Sequence, residues 1–233
     1  MADYVLKVAK IVQETPLVKT ISFGFPEGQE MEFRAGQFVM LLFPDKNPPY
    51  PRAYSIASSP TDKGHIDITF KKEGLFTQRL YALKKGDSIA MKGPHGHFTF
   101  DEGVKEDLVL IAGGTGLAPF RGIIRYALAK KAQNRFRLIL SVKTSEDIIY
   151  KKEIKEWDSS GRVKACITLT APDGDDWEGH RGRIDTEYLQ QCVGDFGNKL
   201  FYVCGPKAML TAMKQCLAEL GVEQKKIITE IWN

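Results

Sequence analysis

The sequence is short of cysteine, has no long apolar run and carries no strong charge of either sign. Its four cysteines, Cys166, Cys192, Cys204 and Cys216, form no CxxC pair and no other metal-ligand spacing. That argues against a zinc site and an iron–sulfur cluster in this chain, since both need clustered thiolates. Three of the four read as free buried thiols; Cys204 is taken up below. The longest apolar stretches, such as FVMLLF at 38–43, are far too short to span a bilayer. The opening MADYVLKVAKIVQ has no apolar core of the signal-peptide kind, which points to the cytoplasm. Thirty-three basic residues against 29 acidic ones leave a net charge of +4. That is too little, and too evenly spread, for a nucleic-acid surface. A weakly basic face still suits an acidic protein or a phosphate-bearing ligand. GxGxxG and GxxxxGK[ST] are both missing, which sets aside the common dinucleotide fingerprint and the P-loop ATPases and kinases.

What is present changes character near residue 102. Before it, short segments rich in β-branched and aromatic residues are broken by PEGQ, PDKNPP, SSPTDKG and KKGD. Candidate strands are 5–13, 18–24, 37–43, 52–58, 65–72 and 87–92, with one helical pattern, LFTQRLYAL, at 75–83. Many short strands with this punctuation predict a closed antiparallel barrel. After it, strands at 108–112, 136–142, 163–170, 199–204 and 225–232 alternate with helices at 119–131, 147–157, 186–193 and 206–220. That alternation predicts a doubly wound α/β domain with a parallel five-stranded sheet. The division falls in FDEGVKED, 100–107, giving domains 1–101 and 102–233.

The sharpest local signal is LVLIAGGTGLAPFRG, 108–122. An apolar strand runs into Gly113, Gly114, Thr115 and Gly116, and Pro119 opens a helix. In a parallel sheet, ligands bind at the carboxyl ends of strands. Glycines there let a ligand approach the backbone, and the free N–H groups of the next helix favour a phosphate. KLFYVCGPKAML, 199–210, repeats the arrangement with Cys204, Gly205 and Pro206. In the barrel half, PRAYSIASSP at 51–60 sets Arg52 and Tyr54 on one side of a strand and Ala53 and Ser55 on the other. A guanidinium suits a phosphate and a tyrosine ring suits a planar heterocycle. KKEGLFTQRL, 71–80, adds Gly74 and a helix start over Leu75, Phe76 and Thr77. His95 and His97 of GPHGHF read as loop residues, and no metal site is expected.

RAYS (52–55), GLFT (74–77), GPHGHF (93–98), GGTGLAP (113–119), CGP (204–206) and the closing EIW (230–232) occur in this order along the whole chain. Together they resemble the ferredoxin–NADP reductase superfamily. The resemblance implies a barrel that binds FAD and a parallel-sheet domain that binds NADH or NADPH. It implies that Arg52 holds the FAD pyrophosphate, that Tyr54 packs on the isoalloxazine, and that Ser55 bonds near the hydride-accepting N5. It further implies FAD contacts from Ala53, from Thr69 and Phe70 on the preceding strand, and from Gly74 to Thr77. Gly113 to Gly116 and Pro119 would receive the nicotinamide dinucleotide, with Gly205 and Pro206 shaping its cleft. Cys204 would sit near nicotinamide C4. Glu230 would move a proton or hold Ser55 and Cys204 in register, and Trp232 would cover a flavin face.

Lys143 and Arg183 are candidate partners for a 2′-phosphate, whereas Ala171 stands where NADP-specific relatives often carry arginine; the choice between NADH and NADPH stays open. The resemblance implies a reductase that takes a hydride from NAD(P)H onto FAD and passes single electrons to a separate acceptor, a ferredoxin or an oxygenase component. A free-flavin reductase with FAD or FMN as substrate, and an electron-transfer subunit of a larger complex, are the alternatives.

Overall fold

Apolar residues at every second position of HIDITFK, namely Ile66, Ile68 and Phe70, are all but sealed from solvent, as a strand with one core-facing side requires. The same logic builds six strands in the first half of the chain. They are β1 (Ala2–Thr15), β2 (Val18–Gly24), β3 (Phe38–Leu42), β4 (Arg52–Ser55), β5 (His65–Lys71) and β6 (Ser88–His95), with helix α1 (Leu75–Ala82) between β5 and β6. They pair antiparallel in the order β4-β3-β6-β1-β2-β5, and an antiparallel bridge from Ile56 to Ile68 joins the two ends. The barrel is filled by Leu6, Ile21, Phe23, Val39, Leu41, Phe43, Ile89 and Met91 among others. The computed structural model describes residues 2–171 and 176–232, without the side chains of residues 2, 3 and 232.

The second half alternates. β7 (Asp107–Gly113) passes through a 3-10 turn at Gly114–Gly116 into α2 (Leu117–Ala129). Then come β8 (Phe136–Val142), α3 (Lys151–Ser159), β9 (Val163–Leu169), β10 (His180–Arg181), α4 (Thr186–Val193), β11 (Lys199–Pro206), α5 (Lys207–Glu219) and β12 (Ile227–Trp232). The sheet is parallel and has six strands, in the order β10-β9-β8-β7-β11-β12. The expected five-stranded sheet is thus one strand short. The extra strand, β10, is a two-residue pairing of His180 and Arg181 with Thr168 and Leu169, too short to leave a period in the sequence. One face of the sheet, carrying Val109, Ile111, Ile139, Phe201 and Val203, is covered by Leu189 and Val193 of α4 and by Leu210, Met213 and Leu217 of α5. Asp185 caps α4 by accepting the Tyr188 amide at 2.8 Å.

Two helix starts differ from expectation. α2 opens at Leu117, so Pro119 is the third helical residue rather than the first. The missing N–H still costs nothing, because the first four N–H groups of a helix lack intrahelical partners. The helix expected over 147–157 begins only at Lys151, after a 3-10 turn over Ser145–Asp147.

The chain folds as two compact units, Met1–Glu102 with Ala118–Ala132, and Gly103–Leu117 with Gln133–Asn233. Most of α2 therefore packs with the barrel. A Cβ on Gly122 would lie 2.8 Å from the Ser58 carbonyl oxygen, so the helix backbone rests directly on the chain that leaves β4. Beside it the Arg121 guanidinium donates to Asp67 at 2.8 Å and to the Ala57 carbonyl at 3.1 Å. Among the described residues, no helix is long and apolar enough to cross a membrane.

Candidate active site

In the barrel unit the RAYS strand and the GLFT turn come together. The Tyr54 ring stacks beside Phe76 of α1, centroids 6.0 Å apart, and meets Phe70 of β5 edge-on at 6.3 Å. Burial pushes the Tyr54 phenol above its ordinary range, against the pull of the nearby Arg52 charge. The ring is therefore a neutral, half-buried aromatic surface. Arg52 is exposed, and its Nη1 donates to the neighbouring Pro51 carbonyl at 3.2 Å. Ser55 closes β4 opposite Phe38 and is 2% exposed, while Ala53 is open to solvent.

Gly74, at φ 82°, leads into α1 without any side-chain cap. The N–H groups of the first turn thus lack both helical carbonyls and a capping oxygen. Leu75 stands beside them 79% exposed. An exposed cation, a neutral aromatic ring next to a helix start, and a turn of uncapped amides with an apolar residue open beside it form a set that suits a pyrophosphate linked to a flat heterocycle. The residues present therefore fit FAD.

Two sequence expectations change here. The Thr77 hydroxyl is turned inward, donating to the Glu73 carbonyl and accepting from the Glu73 amide, each at 2.6 Å. It serves the turn itself, and the backbone is what this segment offers a ligand. The Thr69 hydroxyl bonds to Thr20 at 2.8 Å, and Thr20 donates on to Glu14. Thr69 therefore points to the side of β5 opposite Phe70, because neighbours along a strand face opposite ways.

In the parallel-sheet unit the two glycine turns meet at the carboxyl edge. A Cβ on Gly113 would lie 2.7 Å from Met209 Sδ and 2.9 Å from Pro206 Cδ, and one on Gly116 would lie 2.2 Å from the Cys204 carbonyl oxygen. These two glycines are needed for one turn to seat on the other rather than for a ligand's approach. Gly114, at φ 53°, has open space where a Cβ would be, and Thr115 beside it is partly exposed. Ala112, Cys204 and Glu230 stand in register across β7, β11 and β12. Cys204 is fully buried and Glu230 half-buried. Gly205 and Pro206 follow at the end of β11. Lys143 follows β8 and Arg183 lies just beyond β10, both exposed. Trp232 ends β12 in register with Pro206; its side chain lies outside the described residues.

The sequence reading missed the Asp67–Arg121 pair. Asp67 is 6% and Arg121 9% exposed, and Asp67 also accepts the Ser22 hydroxyl at 2.6 Å. The signal was present as a charged residue inside each of two apolar patterns, HIDITF and PFRGII.

A family model for the oxidoreductase FAD-binding domain matches residues 5–100, and one for the oxidoreductase NAD-binding domain matches residues 110–215. The chain is 32% identical over 228 residues to ferredoxin–NADP reductase B of Sorangium cellulosum, covering 94% of this chain and 93% of that one. This chain belongs to the ferredoxin–NADP reductase superfamily. It is an NAD(P)H-dependent flavoprotein reductase that uses FAD. The enzyme is also 29% identical to the sulfhydrogenase 1 subunit gamma of Pyrococcus furiosus, over 97% of this chain and 78% of that one. Its fold matches the crystal structure of a ferredoxin NADP+ reductase from Neisseria gonorrhoeae with bound FAD and NADP, with a TM-score of 0.84 at 22% identity and 99% coverage of both chains.

Proposed function

We propose that this enzyme takes a hydride from NAD(P)H onto bound FAD and delivers single electrons to a separate acceptor protein, a ferredoxin or an oxygenase component. Residues 1–101 are the FAD-binding domain in this reading and 102–233 the NAD(P)-binding domain, in a cytoplasmic protein. FAD, when bound, supplies the change from an electron pair to single electrons. The chain supplies binding, alignment and electrostatics. Arg52 and the first-turn amides over Gly74–Thr77 hold the pyrophosphate. Tyr54, kept neutral by burial, packs on the ring system with Phe70 and Phe76 behind it, and Ala53 and Thr69 contribute through their backbone. Ser55 holds a hydrogen bond near the hydride-accepting nitrogen.

In the second unit the turn over Gly113, Gly114, Thr115 and Gly116, with Pro119 at the start of α2, receives the dinucleotide, and Gly205 and Pro206 shape the turn beside it. Cys204 orients the nicotinamide, and Glu230, level with it across the sheet, holds or moves a proton. Lys143 and Arg183 are the cations available to a 2′-phosphate.

The observation that carries this reading is the uncapped first turn of α1 next to Tyr54 and the exposed Arg52. Full-length similarity to a protein named for ferredoxin supports the acceptor class. The test is to purify the protein, desalt it, record its visible spectrum, and then follow anaerobic bleaching by NADH and by NADPH. Reoxidation by a [2Fe–2S] ferredoxin follows. A flavin spectrum near one per chain, bleached by a nicotinamide nucleotide and restored by the ferredoxin, is the expected result. A colourless protein that turns over added FAD or FMN would instead identify a free-flavin reductase. Bleaching without reoxidation by any free acceptor would favour a subunit of a larger complex, the reading to which similarity with a sulfhydrogenase subunit lends weight.

A further inference from the structure

The flavin site proposed above is assembled from two separate pieces of chain. Arg52 starts β4, and the uncapped amides start α1 further on. Arg79 joins them. It stands one helical turn beyond Leu75 on α1, and its guanidinium grips the loop 43–51 that carries the chain from β3 into β4. Nη1 and Nη2 donate to Oδ1 and Oδ2 of Asp45 at 2.7 and 2.6 Å, a two-pronged pair. Nη1 also donates to the Asn47 carbonyl. The flat of the guanidinium lies over the Phe43 ring, with Cζ 4.1 Å from its centroid.

The loop is shaped for this grip. Asp45 Oδ1 also accepts the Asn47 amide at 3.0 Å. The Phe43 carbonyl accepts the Lys46 amide at 2.8 Å, with Lys46 in the left-handed region at φ 54°. Hydrogen bonds from Arg79 and the Asn47 amide hold the Asp45 carboxyl below its ordinary range, so it is charged at neutral pH. From Phe43 the contacts run inward. Its ring lies 4.9 Å from that of Phe76, which stacks beside Tyr54 at 6.0 Å. The loop, α1 and β4 therefore meet around one guanidinium. An isolated exposed ion pair contributes little. Arg79 instead holds a carboxylate, a carbonyl and a ring at once, and that takes the planar fork which lysine lacks.

We propose that Arg79 and Asp45 are a positioning pair that selects FAD over FMN, by holding Arg52 and the first turn of α1 at the separation a pyrophosphate needs. The inference rests on the reading of these two pieces as the FAD site. The single phosphate of FMN can sit on either piece alone. The pyrophosphate of FAD reaches across both, so FAD is the flavin that feels their spacing. Arg79 acts through the loop and not on the flavin. Its own charge is already matched by Asp45.

The experiment is a competition on the full chain. The protein is stripped of flavin and incubated with an equal excess of FAD and FMN. It is then desalted, and its bound flavins are separated by chromatography and counted. The parent should hold FAD in preference to FMN. Arg79→Ala and Asp45→Asn should each shift the bound ratio about fivefold towards FMN, the most that a well-formed surface ion pair supplies. Arg79→Lys keeps the charge without the fork and should recover only part of the preference. Asp45→Asn decides the mechanism. It frees the Arg79 charge, so if Arg79 bound the FAD phosphates directly, this variant would prefer FAD more strongly than the parent. An unfolded fraction holds neither flavin and leaves the ratio untouched, so lost stability cannot imitate the result. Variants that keep the parent's ratio would overturn the proposal. So would an Asp45→Asn protein with a stronger preference for FAD, or variants that lose both flavins in step, the mark of a structural prop. A parent that holds FAD and FMN alike refutes the proposal and leaves the flavin site standing. A parent that holds no flavin removes the site itself, and this inference with it.

Discussion

Gly116 and Gly114 sit two residues apart and answer to different constraints. A Cβ on Gly116 would be driven 2.2 Å from a backbone carbonyl oxygen, that of Cys204, whereas one on Gly114 meets nothing within 4 Å and only a left-handed φ of 53° opposes it. Gly116→Ala should therefore destabilise by about 3 kcal/mol, the upper end for overpacking against atoms that cannot swing away. Gly114→Ala should cost only about 1 kcal/mol, the left-handed penalty. Urea unfolding of the two variants checks the order, and equal midpoints would contradict it. The glycine turn was legible in GGTG, but the reason for Gly116 was not, because its neighbour lies 88 residues further along the chain. Arg52→Ala removes a charge-assisted bond worth roughly 1.5–3 kcal/mol. The variant should lose FAD on desalting, and full flavin retention would count against the pyrophosphate assignment. Cys204→Ala should keep its FAD and slow flavin reduction by NAD(P)H by on the order of 10²-fold, as misplacing a reacting group does. Rapid-mixing bleaching rates equal to the parent's would remove Cys204 from the chemistry.

At the scale of elements, the barrel and α2 are joined by a buried ion pair. The Asp67 and Arg121 side chains are only 8% and 11% exposed. Arg121 also satisfies the Ala57 carbonyl, and Ser22 satisfies the other carboxylate oxygen of Asp67. Taking one partner away leaves the other charge enclosed, which costs about 3–5 kcal/mol. Arg121→Met should therefore unfold at much lower urea than the parent, and Asp67→Leu combined with it should recover most of the loss, because the pair then becomes apolar contact. A double variant no better than the single one would mean that the pair is not the unit of stability here. The sequence shows each charge inside an apolar pattern and cannot show that they meet across 54 positions. α1 and α4, by contrast, were legible to within a residue, since each keeps its apolar spacing beside a clear start signal, Gly74 or Asp185. β10 escaped because two residues carry no periodicity.

Across the whole molecule, the order of motifs was more informative than any one of them. Strands and helices in alternation fix which loops end up at a parallel sheet's carboxyl edge, so GGTG and CGP could be placed together at the ends of β7 and β11 without a fingerprint match, whereas RAYS was read through the resemblance. Charge is the other property that belongs to the entire chain. The net charge is +4, and a weakly basic protein suits an acidic partner. Attraction between opposite charges speeds their encounter and is screened over a Debye length of about 30 Å at 0.01 M salt and about 10 Å at 0.1 M. The second-order rate of electron delivery to an acidic protein acceptor should therefore fall as salt is raised over that range. Reduction of an uncharged quinone by the same enzyme should hold constant, because no steering is involved, and flavin bleaching in the same buffers separates acceptor encounter from hydride transfer. If both acceptors respond alike to salt, the effect lies within the enzyme rather than in the encounter. If neither responds, the basic balance of the chain plays no part in choosing its partner.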